Sequence, residues 1–224
     1  MIPALRAFVA EALGWLGETP DPVVEFGAMQ AEAGQDADLR PLFCGRDFTG
    51  TDFREGPGVD RVEDLRSLSY GDGSVGTAIC LETLEHVEDP IAAGRELARV
   101  VSRDGGVCLV STPLLLGIHG YPDDFFRFTP AGLGAVLAGF DSVWTAGIGD
   151  AGMPVSVVAV AAQGRSLEGL TLDALPTLRS EQERWDRGAG TVRIGALRVP
   201  PRELIATTAR ELARLAGERV RRSR

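Results

Sequence analysis

The sequence predicts an α/β fold, a mostly parallel sheet flanked by helices, and three observations predict it. Val75–Leu81 and Val107–Ser111 are short apolar runs rich in β-branched residues, the pattern of strands buried on both faces. Between them, a segment with Pro90 in its first turn carries Ile91, Leu97, Val100 and Val101 at helical spacing and ends at Gly105-Gly106. A strand, helix and strand joined this tightly form a right-handed crossover. Leu81–Glu85 and Ser111–Pro113 then emerge together at the carboxyl edge of the sheet, where ligands bind in open α/β folds.

The other elements follow in order. Residues 2–17 place Leu5, Phe8, Val9, Leu13 and Leu16 on one helical face, an amphipathic helix packed on the core. The stretch Glu18–Pro22 breaks that helix, and Val23–Gly27 is a strand. Leu39–Phe43 ends the next helix, Asp47–Asp52 is a second strand, and the turn-rich Arg54–Asp60 leads to a short third strand, Arg61–Leu65. Thr129 and Pro130 have the chemistry of a cap and first position for a helix over Ala131–Ala138. Phe140–Ala146 and Val155–Ala162 are apolar strands separated by a glycine-rich loop, Gly147–Pro154. Residues 165–190 are polar and broken by Pro176 and Gly188, and Glu203–Val220 reads as a helix with Leu204, Thr208, Leu212 and Leu215 on one face.

With 224 residues the chain buries one good core, and 44% hydrophobic with 25% charged residues is ordinary for a globular protein. A net charge of −9 disfavours a grip on nucleic-acid phosphates, which requires clustered Lys and Arg. Cys44, Cys80 and Cys108 are odd in number and lack CxxC spacing, so reduced thiols in a cytoplasmic protein are expected, with no disulfide framework and no metal site. No segment has the composition of a signal peptide or a spanning helix. From Arg198 to Arg224, eight arginines face three glutamates, an excess suited to docking on the acidic body of the same or another subunit, and so to a homo-oligomer.

Cys80–Val87 (CLETLEHV), Asp89-Pro90 and Arg99–Gly106 (RVVSRDGG) resemble the middle of a class I S-adenosylmethionine-dependent methyltransferase of the type 11 kind, and with flanking motifs the resemblance covers about residues 21–162. It implies a Rossmann-like, mostly parallel seven-stranded sheet closed by an antiparallel pair, with a helical C-terminal extension. The methyltransferase domain would span 1–164 and the extension 165–224. It also implies S-adenosylmethionine as cofactor. Glu25 and Gly27 match the start of the family's E-x-G-x-G-x-G turn, whereas Met29 and Ala31 replace the next two glycines, so an altered loop lined by Gln30 is expected. Asp52 stands 25 residues past Gly27, where such folds place the ribose-binding carboxylate. Asp64 and Leu65 match the adenine-contacting pair, and Leu81 and Glu82 border the cofactor through backbone. His86 starts the helix after the fourth strand in related sequences.

The stretch after the fifth strand, Ser111–Pro130, lies over the mouth of the site. Its YPDDFFRFTP run resembles a signature of methyltransferases linked to glycan or natural-product modification, which implies a small hydroxylated acceptor and O-methylation. A neutral imidazole within reach of the hydroxyl helps its proton leave, and His119 is the candidate base. Asp124 orients it or locks the loop, and Tyr121, Asp123 and Arg127 are candidate acceptor-binding residues. The competing expectation is a cofactor-binding pseudo-methyltransferase that acts through protein association, for which the lost glycines and the basic tail speak.

Overall fold

The computed structural model describes residues 3–30, 38–119, 123–150, 153–186, 192–194, 197–199 and 208. Helix α1 (Pro3–Leu16) precedes β1 (Val23–Phe26), a 3-10 turn (Arg40–Phe43), β2 (Phe48–Asp52), β3 (Arg61–Val62) and β4 (Thr77–Leu81). A second 3-10 turn (Leu84–His86) leads to α2 (Pro90–Val100), β5 (Val107–Pro113), α3 (Pro130–Val136), β6 (Ser142–Asp150) and β7 (Met153–Ala162). A third 3-10 turn (Leu172–Ala174), α4 (Pro176–Asp186) and the hairpin β8 (Val192–Ile194) and β9 (Leu197–Val199) follow.

The large sheet has the order β3-β2-β1-β4-β5-β7-β6. Strands β1 to β5 are parallel, and β7 joins β5 and β6 antiparallel, as expected for the closing pair. Alternation along the central strands feeds two cores. Ala78 and Cys80 of β4 and Cys108 and Val110 of β5 pack with Leu97 of α2 and Leu133 of α3. Ile79, Leu81, Val107 and Leu109 face the other way, onto Phe8 and Val9 of α1 and Leu175 and Leu178 at the start of α4. Such two-sided burial explains why both strands read as continuous apolar runs. Burial also pushes the Cys80 thiol up and that of Cys108 to about 12, so neither is a reactive thiolate.

Several boundaries differ from expectation for local reasons. The described part of the first crossover is a single 3-10 turn, and β3 stops at Val62 because Asp64 closes a turn back to Ser67. Within the expected loop Gly147–Pro154, residues 147–150 and 153–154 continue the β6–β7 ladder. Gly147 pairs with Val157 and Asp150 with Met153, with a bulge at Ile148/Gly149. Pro176 begins a helix instead of breaking one, since the first helical position has no amide to lose. The amide of Thr177 donates to both carboxylate oxygens of Glu11 at 2.9 and 3.1 Å, and Gln182 bonds the backbone of Gly149 in both directions, tying α4 to α1 and β6. The helix expected over Glu203–Val220 lies outside the described residues except Thr208, which is helical.

Candidate active site

Parallel register brings the ends of β1, β2, β3 and β4 to one edge, Phe26 opposite Thr51, Asp52 opposite Val62 and Glu25 opposite Ile79. The amides of Gly27 and Ala28 both donate to Thr51 O at 2.8 Å, so the chain leaves β1 alongside β2. Gly27 has φ +87, and a Cβ there would sit 2.0 Å from Thr83 Oγ1 in the turn after β4. Only glycine serves at that crossing. Where Met29 replaces a glycine, its side chain lies against Gly56, 3.1 Å from where a Cβ of that residue would stand. Gln30 N donates to Pro57 O at 3.0 Å, and Gly58, at φ +89, makes room for Ala28 O. The glycines missing after β1 are thus offset by glycines in the turn after β2.

Along this edge, Asp52 Oδ1 accepts the Arg54 amide at 3.3 Å, and Oδ2 has no partner among the described residues. Leu65, just past the end of β3, is buried in the core cluster with Phe26 and Leu68. Asp64 is engaged with Arg66, whose Nε and Nη2 donate to it at 3.0 and 2.9 Å and hold its carboxyl below its usual range. Glu25 is 6% exposed, and burial pushes its carboxyl to about 8 despite the pull of Arg40. Leu81 is buried in β4, and Glu82, just after it, has φ 48, a rare conformation for a non-glycine residue. Ser111 Oγ holds the Glu82 carboxylate at 2.8 Å, while burial pushes that group up. An open acid at the end of β2, the strained turn after β4 and the closely crossed glycine turn stand at one edge, and S-adenosylmethionine could be held there, with Asp52 as the candidate for the ribose and Gly27 and Glu82 for the methionine half.

The segment after β5 is strapped onto the turn after β4. The amides of Phe125 and Phe126 donate to Glu85 O at 2.8 and 3.3 Å. His86 Nδ1 donates to Asp123 O at 2.5 Å, which leaves Nε2 with its lone pair, 3.7 Å from Glu85 Oε1. The His119 ring stacks edge-on against His86 with centroids 5.0 Å apart. His119 Nδ1 has two oxygens as its nearer neighbours, Gly117 O at 3.2 Å and Asp124 Oδ2 at 3.3 Å, with Arg127 Nη2 at 3.4 Å. With the proton on Nδ1 the ring bonds to those oxygens and its lone pair lies on Nε2, whereas with the proton on Nε2 it accepts from Arg127.

Asp124 has a side chain 2% exposed and is consumed by this strap. It accepts the His119 amide at 2.8 Å and both terminal nitrogens of Arg127, which hold its carboxyl well below the usual range. Arg127 also donates to the carbonyls of Leu116, Gly117 and Phe126. Asp124 therefore holds the strap together, and the Arg127 charge is paired inside the loop. Asp123 contributes its carbonyl while the residue itself is exposed, and Tyr121 lies outside the described residues.

Glu85 escaped sequence reasoning. It is fully buried, and neither carboxylate oxygen has a hydrogen-bond partner in another described residue. Burial, and then neighbouring Glu82, push its carboxyl to about 8. The signal available was the E-x-x-E-H spacing from Glu82 to His86, which one 3-10 turn folds inward. The separate cleft lined by Asp72, Arg95, Arg99 and Arg103 lies at the opposite, amino edge of the sheet.

A family model for a methyltransferase domain matches residues 41–109, from the turn before β2 to the middle of β5. No curated protein matches the chain. Among solved structures, the PH0226 protein of Pyrococcus horikoshii OT3 is similar with a TM-score of 0.54 at 13% identity, over 72% of this chain and 89% of that one. An S-adenosylmethionine-dependent methyltransferase of Thermotoga maritima is similar with a TM-score of 0.51 at 19% identity, over 73% of this chain and all of that one. At these identities the structural likeness is one of fold.

Proposed function

We propose that this chain is a class I S-adenosylmethionine-dependent methyltransferase that methylates a hydroxyl oxygen of a small acceptor such as a sugar, a glycan or a natural product. The observation that carries this reading is His119. Its side chain is 40% exposed at the mouth of the site, and with the proton on Nδ1 its Nε2 lone pair is free to take a proton. Bound S-adenosylmethionine supplies an electrophilic methyl group on a sulfonium. The protein's own part is alignment and proton removal. Asp52 and the Gly27 turn hold the donor, the strap over the β4 turn holds the acceptor, and His119 accepts the hydroxyl proton as the oxygen bonds to the methyl carbon. The carbon–sulfur bond breaks with its electron pair left on sulfur.

Ile118, 95% exposed, and the exposed Leu116 and Phe125 belong to the same strap as His119, which favours acceptors with an apolar portion beside the hydroxyl. The same reading sets the enzyme in the cytoplasm, with its cysteines unpaired, and gives the arginine-rich tail the task of docking on a second copy. Among the described residues no helix is long and apolar enough to cross a membrane.

The test is transfer of label from methyl-labelled S-adenosylmethionine to hydroxylated acceptors, with the matching amines alongside. Labelled methyl ether is expected, and His119→Ala should lower turnover about 10²–10⁴-fold while leaving affinity for S-adenosylhomocysteine unchanged. Full turnover in that variant removes His119 from the chemistry. Binding of S-adenosylhomocysteine without transfer to any acceptor favours the association role instead.

A further inference from the structure

We propose that Glu85, His86 and His119 form a binding site for a divalent transition-metal cation at the mouth of the active site. Each offers one ligand atom, and these atoms lie within 4.8 Å of one another. Ligands around a four-coordinate cation at about 2.0–2.2 Å stand roughly 3.5 Å apart, so the cluster closes with side-chain movements of about 1 Å.

Two independent observations point to a ligand. The first is Glu85, whose side chain is 0% exposed and whose two oxygens have no hydrogen-bond partner in another described residue. A buried carboxyl group with neither oxygen hydrogen-bonded to another residue costs stability, and a ligand that meets those oxygens removes that cost. The one guanidinium in the strap, Arg127, is already taken by Asp124. The second is the arrangement behind the imidazoles. His86 gives its Nδ1 proton to Asp123 O, and His119 Nδ1 faces Gly117 O and Asp124 Oδ2, with Arg127 Nη2 slightly farther off at 3.4 Å. Backbone carbonyls and carboxylates in those places fix the tautomer and raise the basicity of the other nitrogen, the support that metal-bound histidines require.

Two imidazoles and one carboxylate suit zinc, cobalt, manganese, nickel or ferrous iron better than magnesium or calcium, which favour all-oxygen sets. Three protein ligands leave a coordination position open. Resting on the methyl-transfer reading, we assign that position to the acceptor oxygen. With the cation seated, His119 is a ligand rather than a base, and the coordinated hydroxyl, acidified by the cation, gives its proton to solvent.

The test needs no acceptor and no turnover. Protein dialysed against chelator is titrated with Co²⁺ and followed by visible absorption, with Mg²⁺ as control. Saturable ligand-field bands at one Co²⁺ per chain are expected, unmoved by excess Mg²⁺. Affinity should fall at least 10-fold in His119→Ala, a change on the exposed strap, and in Glu85→Gln, with folding of each variant checked by circular dichroism. Absence of saturable bands in the folded parent protein overturns the site, as does unchanged affinity in His119→Ala. Because absorbance reads the cation alone, failure to find an acceptor leaves the site standing, and absence of bands leaves His119 as the free base.

Discussion

Gly27 and Asp52 face each other across the ends of β1 and β2, and each answers a different question about the cofactor. At Gly27 the backbone is left-handed and a methyl group would collide with Thr83 Oγ1. Gly27→Ala is expected to lower stability by about 2 kcal/mol and to weaken S-adenosylhomocysteine binding, both measurable by denaturant titration with and without ligand. Asp52 touches little besides the Arg54 amide, so Asp52→Ala should leave the melting temperature of the ligand-free protein unchanged. The lost charged hydrogen bond, about 1.5–3 kcal/mol, corresponds to roughly a 10- to 100-fold weaker affinity by calorimetry. These two positions were legible in the sequence because spacing from a strand end fixes them. Met29 was not, since its accommodation depends on Gly56, which follows β2 rather than β1. The Glu85–His86–His119 cluster was illegible for a like reason. His119 comes 33 residues after His86, and they meet only because Glu85 O and His86 Nδ1 strap the intervening loop down.

Among the elements, α2 is specified most locally. Asp89 Oδ1 accepts the Ala92 amide at 2.9 Å, Pro90 takes the first position, and Leu97 and Val100 point into the core. Asp89→Ala should cost about 1 kcal/mol, read as a lowered denaturation midpoint at unchanged slope. Capping chemistry and periodicity agree there, which is why the sequence reading and the structure coincide. The Thr129-Pro130 start of α3 is the same case, with Thr129 Oγ1 accepting the Gly132 amide at 3.1 Å. At β6–β7 and α4 the local signals misled. Gly147 and Gly149 read as a loop, but the ladder runs through them because Pro154 and Val155 pack where their side chains would have been. Pro176 read as a breaker, but Leu175 and Leu178 anchor the helix it begins against α1. In both cases tertiary packing decided what glycine or proline meant.

For the molecule as a whole, opposing carboxyl groups set the dependence of stability on pH. Glu25, and Glu85 in the cation-free protein, have folded values near 8 against an ordinary 4.5, so the folded state holds protons that the unfolded chain has released. Their contribution is fully present below about 4.5 and is lost as pH rises towards 8. Asp124, Asp64 and Glu96 are shifted the other way by Arg127, Arg66 and Arg99, so the stability they contribute is present above ordinary carboxyl values and is lost as pH falls. The Arg66–Asp64 and Arg99–Glu96 pairs are partly solvated and individually small, and only the Arg127–Asp124 pair has a buried carboxylate. Denaturant titrations across pH should therefore place maximum stability near pH 5, with a steady decline to pH 8. Glu25→Gln removes one of these buried titrations without changing side-chain size, and the decline should become shallower, so that the variant gains on the parent protein between pH 6 and 8. A variant profile parallel to the parent's would show that Glu25 is ionised at neutral pH in the folded protein, and that Arg40 outweighs its burial.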